Sequence, residues 1–150
     1  MIGYIFLAIT AAIILAICMQ IDNWQRDWTT NFAETDASDA DPDLHPWILN
    51  HSSRDVADRI SEWTASKSGW ELVGEEEKPD DSIRLHLTRT TRVFRFVDDI
   101  HVTIAAERHG EDSDPHRSIV TASSQSRVGK GDLGQNPRNL KQLATVFSNW

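Results

Sequence analysis

Residues 82–104 read SIRLHLTRTTRVFRFVDDIHVTI, and the fold turns on this stretch. Ile83, Leu85 and Leu87 alternate with Arg84, His86 and Thr88; after Phe94, Phe96 and Val97, the residues Ile100, Val102 and Ile104 alternate with His101 and Thr103. Successive side chains of a strand point to opposite faces, so each run predicts a strand with one apolar face and one face toward water. Residues 70–73 open an earlier extended segment, and Lys78-Pro79-Asp80-Asp81 supplies the turn into the first alternating run. Residues 118–124, SIVTASS, are small or β-branched and predict a further strand, reached through a polar hairpin loop at 108–117, RHGEDSDPHR. Helices flank the strands. Val56, Ile60 and Trp63 recur at helical spacing behind a cap at Ser52 or Ser53, and Gly69 supplies a stop. Asn136 and Pro137 open a second helix, with Leu140, Leu143, Ala144 and Phe147 on one stripe. Consecutive strands joined by short turns pair antiparallel. The expected class is therefore α+β: a two-layer domain over residues 47–150, about four antiparallel strands covered by two helices.

The chain of 150 residues holds one such domain plus an appendage. Residues 1–21 carry no charged side chain, and about 20 helical residues at ~1.5 Å each would cross a ~30 Å hydrocarbon layer. The expectation is a single transmembrane helix with the lipid bilayer as its partner. The basic flank and small-residue cleavage site of a signal peptide are missing. Leu15-Ala16-Ile17-Cys18 resembles an acylation box, but Ile17 is the wrong residue there, which favours an ordinary buried cysteine. Because Arg26 is the only base between residues 22 and 50, the domain is expected on the extracytoplasmic side. Trp24 and Trp28, four residues apart, suit either an interfacial anchor or one face of a short helix.

Residues 22–46 are expected to be an acidic flexible tether, since 29–46 are small, acidic and interrupted by two prolines. Asp36, Asp39, Asp41 and Asp43 could suggest a calcium loop, but the glycine turn and terminal Glu of such loops are absent, and a solvated charge run is favoured. The net charge of −8 comes mostly from this segment: residues 22–50 contribute −6 and residues 51–150 contribute −2. A domain without net positive charge argues against nucleic acid as a partner. The single cysteine, Cys18, leaves the domain without a disulfide or a thiolate metal site, and the histidines show no helical H-x-x-x-H spacing. No cofactor and no metal is expected.

The most unusual segment is residues 126–136, SRVGKGDLGQN. Gly129, Gly131 and Gly134 spell G-x-G-x-x-G between a strand and a helix, but only 16 residues follow Gly134, too few for the second parallel strand of a dinucleotide fold. Two narrower readings remain. Arg127, Lys130 and Arg138 could hold a carboxylate or phosphate against glycine N–H groups and the following helix start. Alternatively the glycines permit a tight turn, Asp132 accepts backbone bonds within it, and Arg127 pairs with Asp98 or Asp99; this structural reading is preferred. An enzyme would use Asp98 and Asp99 as base or ligands, His101 beside Asp99 and Arg127 against developing charge. Neighbouring strand residues face opposite ways, which counts against the two carboxylates sharing one site. Trp47, Trp63, Trp70 and Trp150 offer a recognition surface, although filling a thin core explains most of them.

Phe96-Val97-Asp98-Asp99, Thr121-Ala122-Ser123-Ser124, Ser126-Arg127-Val128-Gly129, Asp132-Leu133-Gly134 and Asn136 resemble the F-V-D-D and S-R-x-G-x-x-D-L-G-x-N signatures of the domain of unknown function 1499 family, over roughly residues 45–148. The resemblance implies a small bacterial or plastid domain, often membrane-attached or exported, and transfers no reaction. Many relatives carry a Cys-Pro-x-x-Pro-Asn-Cys-like stretch ahead of the domain, where this chain has its cysteine-free acidic segment. The expected function is a non-catalytic accessory or binding module of the cell envelope, with a membrane protein as a further candidate partner. The alternative is a small hydrolase-like or metal-assisted enzyme using Asp99, His101 and Arg127. The motif and candidate anion-binding residues are Asp98, Asp99, Arg127, Gly129, Lys130, Asp132, Gly134, Asn136 and Arg138.

Overall fold

A computed structural model describes residues 2–18, 29–92, 94–109, 112–148 and 150. In chain order the elements are α1 (Ile2–Cys18), β1 (Phe32–Glu34), a 3-10 turn (Pro42–Leu44), β2 (Trp47–Leu49), α2 (Ser53–Ser66), β3 (Trp70–Glu77), β4 (Ile83–Thr90), β5 (Val97–His109), β6 (Asp112–Ser126) and α3 (Gln135–Ala144). The six strands form one antiparallel sheet in the order β1-β6-β5-β4-β3, with β2 also paired to β6. β6 accommodates two partners on one edge because it is 15 residues long: β2 meets it at residues 118–120 and β1 at 123–125.

This corrects the expected fold class in three respects. First, the sheet has six strands, since β1 and β2 are three residues each, too short to show alternation in the sequence. Second, most of the loop expected at 108–117 is strand, with β5 running to His109 and β6 starting at Asp112. Its polar composition shows no apolar alternation, so composition alone did not separate strand from loop. Third, α1 has 17 residues, which at ~1.5 Å each rise about 26 Å, short of a ~30 Å hydrocarbon layer. Among the described residues no helix is long and apolar enough to cross a membrane, so the expected transmembrane helix and single-pass location are not supported. Trp24, Arg26 and Trp28 lie outside the described residues.

α2 begins at Ser52, whose hydroxyl accepts the Asp55 N–H at 3.2 Å and donates to the Asp55 carboxylate at 2.7 Å. Val56, Ala57, Ile60 and Thr64 then fall on one buried stripe. Gly69 follows at φ +85°; a Cβ there would lie 2.8 Å from the Thr90 carbonyl oxygen, so glycine lets the Thr90 N–H reach the Gly69 carbonyl at 2.7 Å and tie the helix exit to β4. α2 and α3 cover one face of the sheet, burying Leu85, Leu87, Ile100, Val102, Ile104 and Val120 against Val56, Ile60, Leu140 and Leu143. Trp70 is buried in this core, and Trp47 and Trp63 pack partly against it.

The segment expected to be a flexible tether is built into the domain from Asn31 onward. Ala33 of β1 and Leu44 of the 3-10 turn are buried, and Lys141 of α3 pairs with Asp41 at 2.6 Å. Asp36, Asp39 and Asp41 each accept the backbone N–H two residues on, at 2.7, 2.8 and 3.0 Å, so the acidic run folds as successive side-chain-capped turns. These local bonds order a segment whose apolar content alone would not.

Candidate functional site

Asp98 and Asp99 lie at the start of β5, and the strand's alternation sends them to opposite sides of the sheet: Asp98 inward beneath α3, Asp99 outward. Asp98 is 1% exposed. One of its oxygens accepts the Ser126 hydroxyl at 2.7 Å and the other the Asn139 amide at 2.9 Å. The same amide also meets the Ser124 hydroxyl at 3.1 Å; that hydroxyl donates to the Asn136 side-chain oxygen at 2.6 Å, and the Asn136 amide reaches Ser126 at 3.2 Å. Asp98, Ser126, Asn136, Ser124 and Asn139 therefore close a hydrogen-bonded ring between the sheet and α3. Asn136 and Asn139 are fully buried, and Asn136 additionally donates to the Asn31 carbonyl at 2.7 Å, fastening the chain just ahead of β1. Arg89 faces Asp98 across the β4–β5 ladder; burial lowers its guanidinium pKa, and the Asp98 charge opposes that shift.

The glycine-spaced bend completes this arrangement. One Asp132 oxygen accepts the Gly134 N–H at 2.9 Å and the other the Asn136 N–H at 2.6 Å. The Gln135 N–H bonds the Asp132 carbonyl and the Arg138 N–H the Gly134 carbonyl, while residue 137 is proline and has none. Every N–H of the first turn of α3 is thus already occupied by the chain's own groups, including a carboxylate where an outside anion would sit. The three cations expected to share an anion are placed differently: Arg127 pairs with Asp99, Arg138 donates to the Leu133 carbonyl at 3.0 Å, and Lys130 is exposed. Gly129 and Gly134 adopt positive φ, 101° and 76°, as the bend requires. Gly129 also contributes its carbonyl to the Asn31 amide at 2.8 Å.

On the outer face Arg127 grips Asp99 with both Nε and Nη2 at 2.7 Å, and His86 Nε2 lies 2.7 Å from the same carboxylate. The Arg127 hydrogen bonds, aided by His86, hold the Asp99 pKa down at about 2. His101 stacks on His86 with ring centres 4.6 Å apart, and its pKa is lowered by burial and then by the nearby His86 charge. Asp99 is engaged by Arg127 and His86, and no hydrogen bond links it to His101.

A depressed carboxylate pKa adds stability that is present above the ordinary carboxylate range near 4 and is lost as pH falls through about 2. Arg127 is half exposed, so solvent screening leaves the ion pair a small contribution to stability. Arg127→Met should accordingly lower the melting temperature only slightly at pH 7, with the gap from wild type closing as pH is taken from 5 to 2; a gap independent of pH would show that Arg127 acts through packing alone.

Beside this cluster the open face carries a recess of about 350 Å³, lined by Glu34, Arg84, His101, Thr103, Thr121 and Ser123 among others. Two cross-strand rows build it: Thr121, Thr103 and Arg84 in one, Glu34, Ser123 and His101 in the next. Among the described residues the side chains of Glu34, Arg84, Thr103, Thr121 and Ser123 form no hydrogen bond or ion pair. No group of three or more His, Cys, Asp or Glu among the described residues is disposed to hold a metal ion.

Sequence reasoning reached the Asp98–Asp99 doublet and the bend but not Asn31, His86, Arg89 or Asn139. Asn139 left a signal: with Asn136 it puts two amides three residues apart on the helix face that also carries Leu140 and Leu143, and polar groups on a core stripe imply a buried network. His86 left none beyond its place in the alternation. Comparison with curated proteins returns no match. The family model described as protein of unknown function (DUF1499) matches residues 25–147, a span that takes in Asn31 and β1 as the fold does. Covering most of the 150 residues, that match makes this chain a member of the DUF1499 family.

Proposed function

We propose that the chain is a non-catalytic binding module in which the motif residues form the frame and the open face of the sheet is the recognition surface. The observation carrying this reading is the contrast in hydrogen-bonding capacity between the two. Asp98, Asp132, Asn136 and Asn139 direct their side chains to partners inside the protein, and Arg127 and Asp99 hold each other. The recess, by contrast, offers hydroxyl, guanidinium and carboxylate groups that, among the described residues, make no internal hydrogen bond, in a concave wall. A rigid frame beneath an open polar face suits recognition, because the binding groups are positioned before the ligand arrives.

Titration of the ¹⁵N-labelled full chain with sugars, amino acids, dipeptides, dicarboxylates and nucleosides tests the reading. Saturable shifts are expected at Thr103, Thr121 and Ser123, with every compound recovered unchanged. Shifts confined to residues 127–138, shifts nowhere on the open face, or turnover of a bound compound would overturn it.

A further inference from the structure

Resting on the reading of the open face as a recognition surface, we propose that the recess takes a small zwitterion, an amino acid or short peptide, with its carboxylate on Arg84 and its ammonium on Glu34. These two lining residues carry opposite charges and sit at opposite ends: Glu34 on β1 and Arg84 on β4, with β6 and β5 between them. Three strand spacings separate the two columns by roughly 14 Å at the backbone, and both side chains line the recess from its ends.

Between them Thr103, Thr121 and Ser123 present hydroxyls that donate and accept, the combination needed along an amide or α-carbon backbone. His101 adds no net charge at neutral pH, since burial and the His86 charge keep its pKa below the ordinary value. Glu76, which faces Arg84 across β3–β4, is hydrogen-bonded to Lys78 at 2.7 Å and meets Arg84 only through its charge, so the guanidinium N–H groups stay open to a ligand carboxylate. An anion without a donor end would meet Glu34 unfavourably, and a cation without an acceptor end would meet Arg84 unfavourably. A ligand carrying both ends satisfies both. The charges are solvent-accessible, so affinity should be modest, with a Kd on the order of 0.1 to 1 mM.

The test uses the full chain and four probes: L-alanyl-L-alanine, its N-acetyl form, its C-terminal amide, and glucose. The free dipeptide should bind saturably, with each blocked form at least about tenfold weaker, a difference of ~1.4 kcal/mol. Arg84→Gln should erase the preference for the free carboxylate while keeping the preference for the free amine, and Glu34→Gln should do the reverse. Both residues are exposed, and an unchanged melting temperature confirms that the variants fold; Arg84→Lys, which keeps the charge, should retain the carboxylate preference. Blocked and free dipeptides binding equally, or both variants weakening all probes alike, would overturn the zwitterion. Glucose shifting the recess residues while the dipeptide does not would overturn the ligand class and leave the open-face reading standing. No compound of the wider panel shifting the face would overturn both.

Discussion

Asp98→Ala should destabilise the protein by about 3–5 kcal/mol, lowering its melting temperature by roughly 10 °C, while Asp99→Ala, one residue away, should cost under about 1 kcal/mol. The difference follows from which side of the sheet each carboxylate faces. Removing the buried Asp98 carboxylate leaves the Ser126 hydroxyl and the Asn139 amide without their acceptor in a space water does not reach. It also removes the negative charge that offsets the burial of Arg89. Asp99 lies at a surface where water can replace the lost partner of Arg127. Asp98→Asn gives an internal control. It keeps an acceptor for Ser126 but turns an NH₂ group toward the Asn139 NH₂, so its cost should fall between the two, at about 1–3 kcal/mol. Chemical or thermal unfolding of the three variants settles the ranking. If Asp98→Ala is no more costly than Asp99→Ala, the buried ring does not support the fold.

What could be read from the sequence was whatever repeats at a fixed period. The alternation around Leu85 and Val102 marks β4 and β5, and the stripe of Val56 and Ile60 marks α2, because each periodic residue is buried for the same reason. β1 and β2 could not be read this way. Three residues do not establish a period, and both strands exist because the long β6 offers them an edge. The acidic segment misled for a related reason: its order comes from aspartates capping their own turns, from β1 pairing with β6 and from buried Ala33 and Leu44, which composition averages away. α1 shows the opposite error: an uncharged run looked long enough to span a bilayer, while among the described residues no helix, the 17-residue Ile2–Cys18 included, is long and apolar enough to cross one. At the site, the doublet and the bend stood out, and opposite facing of Asp98 and Asp99 followed from strand geometry. The partners Asn31 and Arg89 did not, because each is brought in by pairing distant in sequence, Asn31 next to Ser126 and Arg89 opposite Asp98. The recess was equally hidden, being assembled from one to three residues on each of four strands.

Asn136→Ala should cost about 2–4 kcal/mol and should also loosen one region more than the rest. The side chain is fully buried and joins three elements: it accepts from Ser124 on β6, donates to Ser126 on β6, and donates to the Asn31 carbonyl ahead of β1. Its loss strands the Ser124 donor and removes a bond holding Asn31, whose carbonyl then keeps only the Ser126 N–H at 3.1 Å and whose amide still reaches Gly129. β1 spans only three residues at the sheet edge, so it depends on that anchor more than any longer strand does. Native-state hydrogen exchange should therefore show the Thr35 amide, which bonds the Ala122 carbonyl at 2.8 Å, opening at least about tenfold more easily relative to the β4 and β5 amides than in wild type. Combining Asn136→Ala with Asp98→Ala separates a ring from a set of independent bonds. In a closed ring the first substitution already frees the members that the second would disturb, so the double variant should cost less than the sum of the singles by about 1–3 kcal/mol. Costs that add to within about 0.5 kcal/mol would mean that Asp98 and Asn136 support the fold separately, however continuous the hydrogen bonds between them.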